Sequence, residues 1–167
     1  MTLQPGMVFV VKTGRVVSNI INFCQKVKAV DNKSFYTHAG IIVGSYGKTF
    51  EALAKVGYGH IDHHKGCPIL IVKHNGMTEE LFKTAFDELK YLDGSMYPVP
   101  RLFLHLLGLA KFIHWKYPVC SELVAKLEHE AGLRRNWWGI NPDNLADEWL
   151  ISKHYTIIYQ GKWEGHK

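Results

Sequence analysis

Cys120 stands in the run Tyr117-Pro118-Val119-Cys120-Ser121-Glu122-Leu123-Val124. Pro118 ends an extended approach, and Val119, Leu123, Val124 and Leu127 then recur at helical spacing, so the thiol falls at a helix amino terminus. A free cysteine has a pKa near 8.5 and is about 3% thiolate at neutral pH; the unpaired amides and dipole of a helix start favour the anion. The same amides could bind an oxyanion. Such a thiol is a candidate nucleophile, provided that an imidazole takes its proton and a third polar group fixes the ring.

Of the 10 histidines, His38 is the candidate base, because Thr37-His38-Ala39-Gly40-Ile41-Ile42-Val43 is a strand too apolar on both faces to hold an imidazole without a partner. Most of the others read as solvent-facing. Glu51 follows in Thr49-Phe50-Glu51-Ala52-Leu53, after the glycine-flanked turn Gly44-Ser45-Tyr46-Gly47. A two-residue turn at Ser45-Tyr46 pairs Gly44 with Gly47 and therefore Gly40 with Glu51, which leaves His38 two positions along on the same face. That diagonal is roughly 7 to 8 Å between backbones, within reach of two long side chains, and a slip of one residue would turn Glu51 away.

The elements that must position these groups follow from the hydrophobic pattern. Met7 to Val11 reads as an opening strand and Val16 to Val30 as a helix that buries Cys24. From Phe35 to Lys73 the runs Phe35 to Val43, Thr49 to Leu53, Gly57 to His64 and Ile69 to Lys73 read as an antiparallel meander. Glu79 to Leu92 is an amphipathic helix, Leu102 to Ile113 is apolar nearly all round, Cys120 to Ala131 is stopped by Gly132, and Asn141-Pro142-Asp143 starts another helix. Tyr155 to Tyr159 alternates as a closing strand. The predicted class is α+β, one antiparallel, barrel-like sheet packed against helices.

With 167 residues, 47% of them apolar, and no repeat or linker, residues 1 to 167 read as one domain that needs no staple. Three cysteines are an odd, sparse set for a disulfide framework, so a reducing compartment is expected. The best apolar run is too short to span a bilayer and the amino terminus carries no signal-peptide pattern, which makes the expected location cytoplasmic. A net charge of +5 is a weak pointer to an anionic partner, since the basic residues are scattered.

Taken together, the motifs resemble the circularly permuted papain-like cysteine hydrolases of the NlpC superfamily, in the YiiX/YebB-like branch. The resemblance rests on Pro5-Gly6-Met7, Thr37-His38-Ala39-Gly40, Glu51-Ala52 and Cys120-Ser121-Glu122-Leu123-Val124, in the order His, Glu, Cys, the reverse of papain's. Leu92-Asp93-Gly94-Ser95-Met96-Tyr97 is similar to the family's Gly-x-x-Tyr, and Asn141-Pro142-Asp143-Asn144-Leu145 to its late Pro-x-x-Leu turn. Two positions depart from the pattern: Met7 replaces the usual acid, and Pro98 follows Tyr97 where an acid is common. The resemblance implies an amidase or peptidase acting through an acyl-thioester, with Cys120 as nucleophile, His38 as proton shuttle and Glu51 as orienting group. Tyr97 and Ser121 would bind the oxyanion or substrate, and no cofactor is implied.

Other clusters carry weaker readings. His60, Asp62 and His64 share one face of the run before Cys67, but the spacing fits no strong zinc site and solvent-exposed alternation explains it, so no metal is expected. Trp137-Trp138 after Arg134-Arg135 reads as a lid or core pair before a nucleic-acid stacking platform. The Leu102 to Ile113 helix reads as core; as the wall of an acyl-chain groove it would point to an amino-lipid substrate, and otherwise to a short peptide or cell-wall amide. Two further classes stay open: an acyltransferase using the same triad, and a non-catalytic binding module for an anionic polymer or lipid.

Overall fold

A computed structural model describes residues 2–13, 35–96 and 117–165. The predicted helices Val16 to Val30, with Cys24, and Leu102 to Ile113, together with Tyr97, lie outside the described residues. Six strands form one antiparallel sheet: β1 (Met7–Val11), β2 (His38–Ile42), β3 (Lys48–Ala52), β4 (Val56–His60), β5 (Pro68–His74) and β6 (Tyr155–Lys162), in the order β4-β3-β2-β1-β5-β6. Among the described residues three helices accompany it, α1 (Glu79–Asp87), α2 (Cys120–Glu130) and α3 (Pro142–Ile151). The class is α+β, as the patterning predicts.

The expected meander is only partly present. β2, β3 and β4 are successive neighbours, but β5 does not pair with β4; it crosses to the far side of β1. The physical reason lies in β1, whose five residues are all buried. A strand apolar on both faces belongs in the middle of a sheet, with a neighbour on each side. Val8 and Val10 join the core beneath the helices, with Ile41, Phe50, Leu123 and Trp149. Met7, Phe9 and Val11 face the other way, with Ile42, Ile61, Ile71 and Trp163.

The β2–β3 hairpin has the register that its turn dictates. Gly47 donates its amide to the Gly44 carbonyl (3.2 Å), and Gly40 pairs with Glu51 and Ile42 with Thr49. Directly opposed residues share a face, so Phe9, opposite Gly40, stands on the same side as His38, Thr49 and Glu51. Other elements are shorter than the pattern suggested. α1 ends at Asp87 and is continued by a 3-10 turn over Lys90–Leu92, and the predicted strand Gly57 to His64 stops at His60.

Helix caps set the ends of the remaining elements. Thr78 accepts the Leu81 amide at the start of α1 (3.1 Å), and Asn141 accepts the Asn144 amide at the start of α3 (2.8 Å), with Pro142 in the first turn. The far ends of α2 and α3 meet β6 through a shielded ion cluster. Arg134 donates to Glu128 (2.8 Å) and Glu148 (2.6 Å), and the Tyr155 hydroxyl donates to Glu128 (3.1 Å).

Candidate functional site

Cys120 is the first residue of α2, after Val119 in extended conformation (φ −78°, ψ 174°). Valine offers no side-chain acceptor, so the first-turn amides have no N-cap side chain. Glu122 reaches back instead: one carboxylate oxygen accepts the Val119 amide (3.2 Å) and the other the Gly139 amide (2.7 Å). The Ser121 hydroxyl donates to the Ile140 carbonyl (2.7 Å). The two residues after the cysteine therefore tie the helix start to the loop carrying Trp137 and Trp138. Those rings meet edge to face, and the Lys126 ammonium lies 4.9 Å from the centre of the Trp137 ring.

His38 is the first residue of β2, and the segment before it is held from outside the sheet. Asp143, in the first turn of α3, accepts the backbone amides of Phe35 (3.1 Å) and Tyr36 (2.7 Å). The His38 Nε2 lies 2.6 Å from Glu51 Oε2. An ionised carboxylate only accepts, so this nitrogen carries the proton and Nδ1 is the ring's other polar atom; the buried Cys120 thiol interacts with the ring strongly enough to raise the His38 pKa. The diagonal His38–Glu51 contact expected from the turn is thus present, and the Cys120 thiol acts on the same imidazole.

The Glu51 carboxylate is saturated with donors. Oε1 accepts the Thr49 hydroxyl (2.5 Å), and Oε2 accepts a second imidazole, His64 Nε2 (2.9 Å), besides His38. Both rings lie against Phe9, with ring-centre distances of 6.5 Å for His38 and 5.5 Å for His64. Space for this stack comes from Gly40. A Cβ there would sit 2.5 Å from Phe9 Cζ and 2.8 Å from Glu51 Cγ, distances no packed carbon adopts. Cys120, His38, Glu51 and His64 are only 5%, 6%, 3% and 6% exposed.

Electrostatics follow from this enclosure. Burial pushes the His38 pKa down, yet hydrogen bonds and charge interactions with Cys120 and Glu51 outweigh it and raise the value from 6.5 to about 10. Burial likewise opposes ionisation of Glu51, but the two imidazoles hold its carboxyl well below the usual carboxylate range. The pair is therefore set up as imidazolium and carboxylate.

His64 overturns a sequence expectation. The alternation from Gly57 to His64 implies a strand with His64 facing solvent; instead Ile61–His64 is a 3-10 turn that brings His64 inward. His60 starts that turn, its Nδ1 accepting the Asp62 amide (3.2 Å), and lies 3.7 Å from the Asp62 carboxylate, so His60 and Asp62 do not converge with His64. Cys67 is half-buried beside Trp163 and shares in none of these contacts. Sequence reasoning missed Thr49, His64 and Asp143 as site-building residues. Only the acid and amide types around Asn141-Pro142-Asp143 marked one of them, as a helix start.

No family model matches the chain, and no curated protein sequence matches it. Among the described residues, no helix is long and apolar enough to cross a membrane.

Proposed function

We propose that the protein is a thiol hydrolase of the permuted papain-like, NlpC type, cleaving an amide or ester in a peptide-like or acylated small substrate. The observation that carries this reading is the buried cluster itself: a cysteine on the first turn of a helix, interacting with an imidazole whose Nε2 is fixed by a carboxylate 2.6 Å away. Nucleophilic catalysis needs a nucleophile, a base beside it and a group that orients the base, and the buried Cys120, His38 and Glu51 offer the side chains for these roles. The chain order His, Glu, Cys on a hairpin and a later helix supports the permuted topology.

In this mechanism the Cys120 sulfur attacks the substrate carbonyl while His38 Nδ1 holds the thiol proton. Glu51 keeps the other ring proton on Nε2 and stabilises the imidazolium. First-turn amides of α2, free of an N-cap side chain, face the developing oxyanion. His38 then gives its proton to the leaving amine or alcohol, and a thioester remains. Water attacks that thioester, with His38 taking a proton from it, and Cys120 is regenerated.

The test is mass spectrometry of the intact protein during turnover of amide and ester libraries. The expected result is an adduct of the acyl mass on Cys120, absent from Cys120→Ala and accumulating in His38→Ala only with activated esters. Turnover undiminished in Cys120→Ala would overturn the reading. Adding a primary amine separates hydrolysis from acyl transfer by the product formed.

A further inference from the structure

His64 lies outside the relay just described, yet it is buried against it and presents a nitrogen to the same carboxylate oxygen. His38 Nε2, Glu51 Oε2 and His64 Nε2 lie within 4.8 Å of one another and come from β2, β3 and the turn after β4. We infer that these three atoms form a divalent transition-metal site, an assignment that does not rest on the thiol hydrolase reading.

The donor set and its surroundings carry the metal assignment. Two imidazoles and one carboxylate suit zinc, cobalt or ferrous ions, with a further coordination position left for water. Tetrahedral zinc at about 2.0 to 2.2 Å from each ligand spaces the ligand atoms about 3.3 Å apart. The present contacts of 2.6 and 2.9 Å need to open by about 0.7 and 0.4 Å to reach that spacing. The outer shell that holds metal ligands in position is already built. Thr49 donates to the second oxygen of Glu51, and Phe9 backs both rings.

An ion bound to His38 Nε2 takes the place of the proton that this nitrogen donates to Glu51, so the metal-bound state lacks the His38–Glu51 hydrogen bond. Cys120 is not part of the cluster.

Chelator-stripped protein titrated with Co²⁺, and separately with Zn²⁺ by calorimetry, tests the site. One equivalent of Co²⁺ should give d–d bands of a four- or five-coordinate ion without a sulfur-to-cobalt charge-transfer band, unchanged in Cys120→Ser. His64→Gln retains a donor toward Glu51 and so keeps the fold, checked by circular dichroism. It should weaken binding more than about 100-fold, beyond the loss of an outer-shell contact. No saturable binding, a thiolate charge-transfer band, or equal affinity in His64→Gln overturns the site and assigns the ion to surface histidines such as His74 and His154. A Cys120 no more reactive than Cys67 in metal-free protein overturns the hydrolase reading and leaves the metal site standing.

Discussion

Replacing Glu51 by glutamine isolates the charge of the orienting group from its geometry. The carboxylate accepts three hydrogen bonds, from His38, His64 and Thr49. In Glu51→Gln the amide oxygen can occupy the Oε2 position and keep both imidazole donors, while its NH₂ faces Thr49, whose hydroxyl can turn from donor to acceptor. Glu51→Ala would instead leave three buried donors without an acceptor, at about 1 to 3 kcal/mol each, a large share of the 5 to 15 kcal/mol typical of a whole domain. A hydrogen bond to a charged group contributes about 1 to 1.5 kcal/mol more than one between neutral groups, which sets a lower bound of roughly tenfold on the His38 imidazolium. Direct attraction at about 4 Å and an effective dielectric near 20 gives about 4 kcal/mol, an upper bound of about 10³-fold. The assay is the second-order rate of iodoacetamide alkylation at Cys120, resolved from the other cysteines by peptide mass spectrometry. At pH 6 Glu51→Gln should react 10- to 1000-fold more slowly than wild type. The two rates should converge above about pH 9.5, where an ordinary thiol ionises without help. A folded Glu51→Gln protein alkylated within threefold of wild type at pH 6 would refute the relay.

Gly40→Ala drives a methyl group into Phe9 and Glu51, and denaturant melts should show a loss of about 1 to 3 kcal/mol or more together with slower Cys120 alkylation. Arg134→Met leaves Glu128 buried with only the Tyr155 hydroxyl donating to it among its described hydrogen bonds; chemical unfolding should report about 3 to 5 kcal/mol lost, with Cys120 alkylation of the folded fraction unchanged. Because the folded pKa of Glu51 lies below its unfolded value near 4.5, its stabilisation is present above that pH and lost as pH falls, so the melting temperatures of wild type and Glu51→Gln should draw together below pH 4.5. His38 has the opposite sign: its folded pKa of about 10 exceeds the ordinary 6.5, so its stabilisation is full below pH 6.5 and disappears as pH rises to 10, a slope that His38→Gln should lack in melts across that range.

How much of the site was legible depended on whether local chemistry or long-range packing decided each residue. The Gly44 to Gly47 turn sets the hairpin register, and with period-two side chains that register places His38 and Glu51 on one face. Pro118 and the apolar spacing after it mark Cys120 as a helix start. His64 was misread because alternation from Gly57 onward looks continuous, whereas the turn at Ile61 breaks the two-residue period and reverses which residues point inward. The crossing of β5 past β1 was illegible for a related reason: a five-residue apolar strand announces that it is central but not which strands flank it. Asp143 reads in the sequence as a helix-start acid, and its grip on Phe35 and Tyr36 spans 107 residues or more, beyond any periodic signal.

The base and its carboxylate belong to one hairpin, only 13 residues apart, whereas the sulfur arrives on a helix much later in the chain. During synthesis the hairpin leaves the ribosome first, and domains tend to assemble as their segments emerge. The thiol gains its partner only when its helix docks. A truncated or half-finished polypeptide thus carries ordinary cysteines, and the hazard of a promiscuous nucleophile is confined to molecules that have completed their fold.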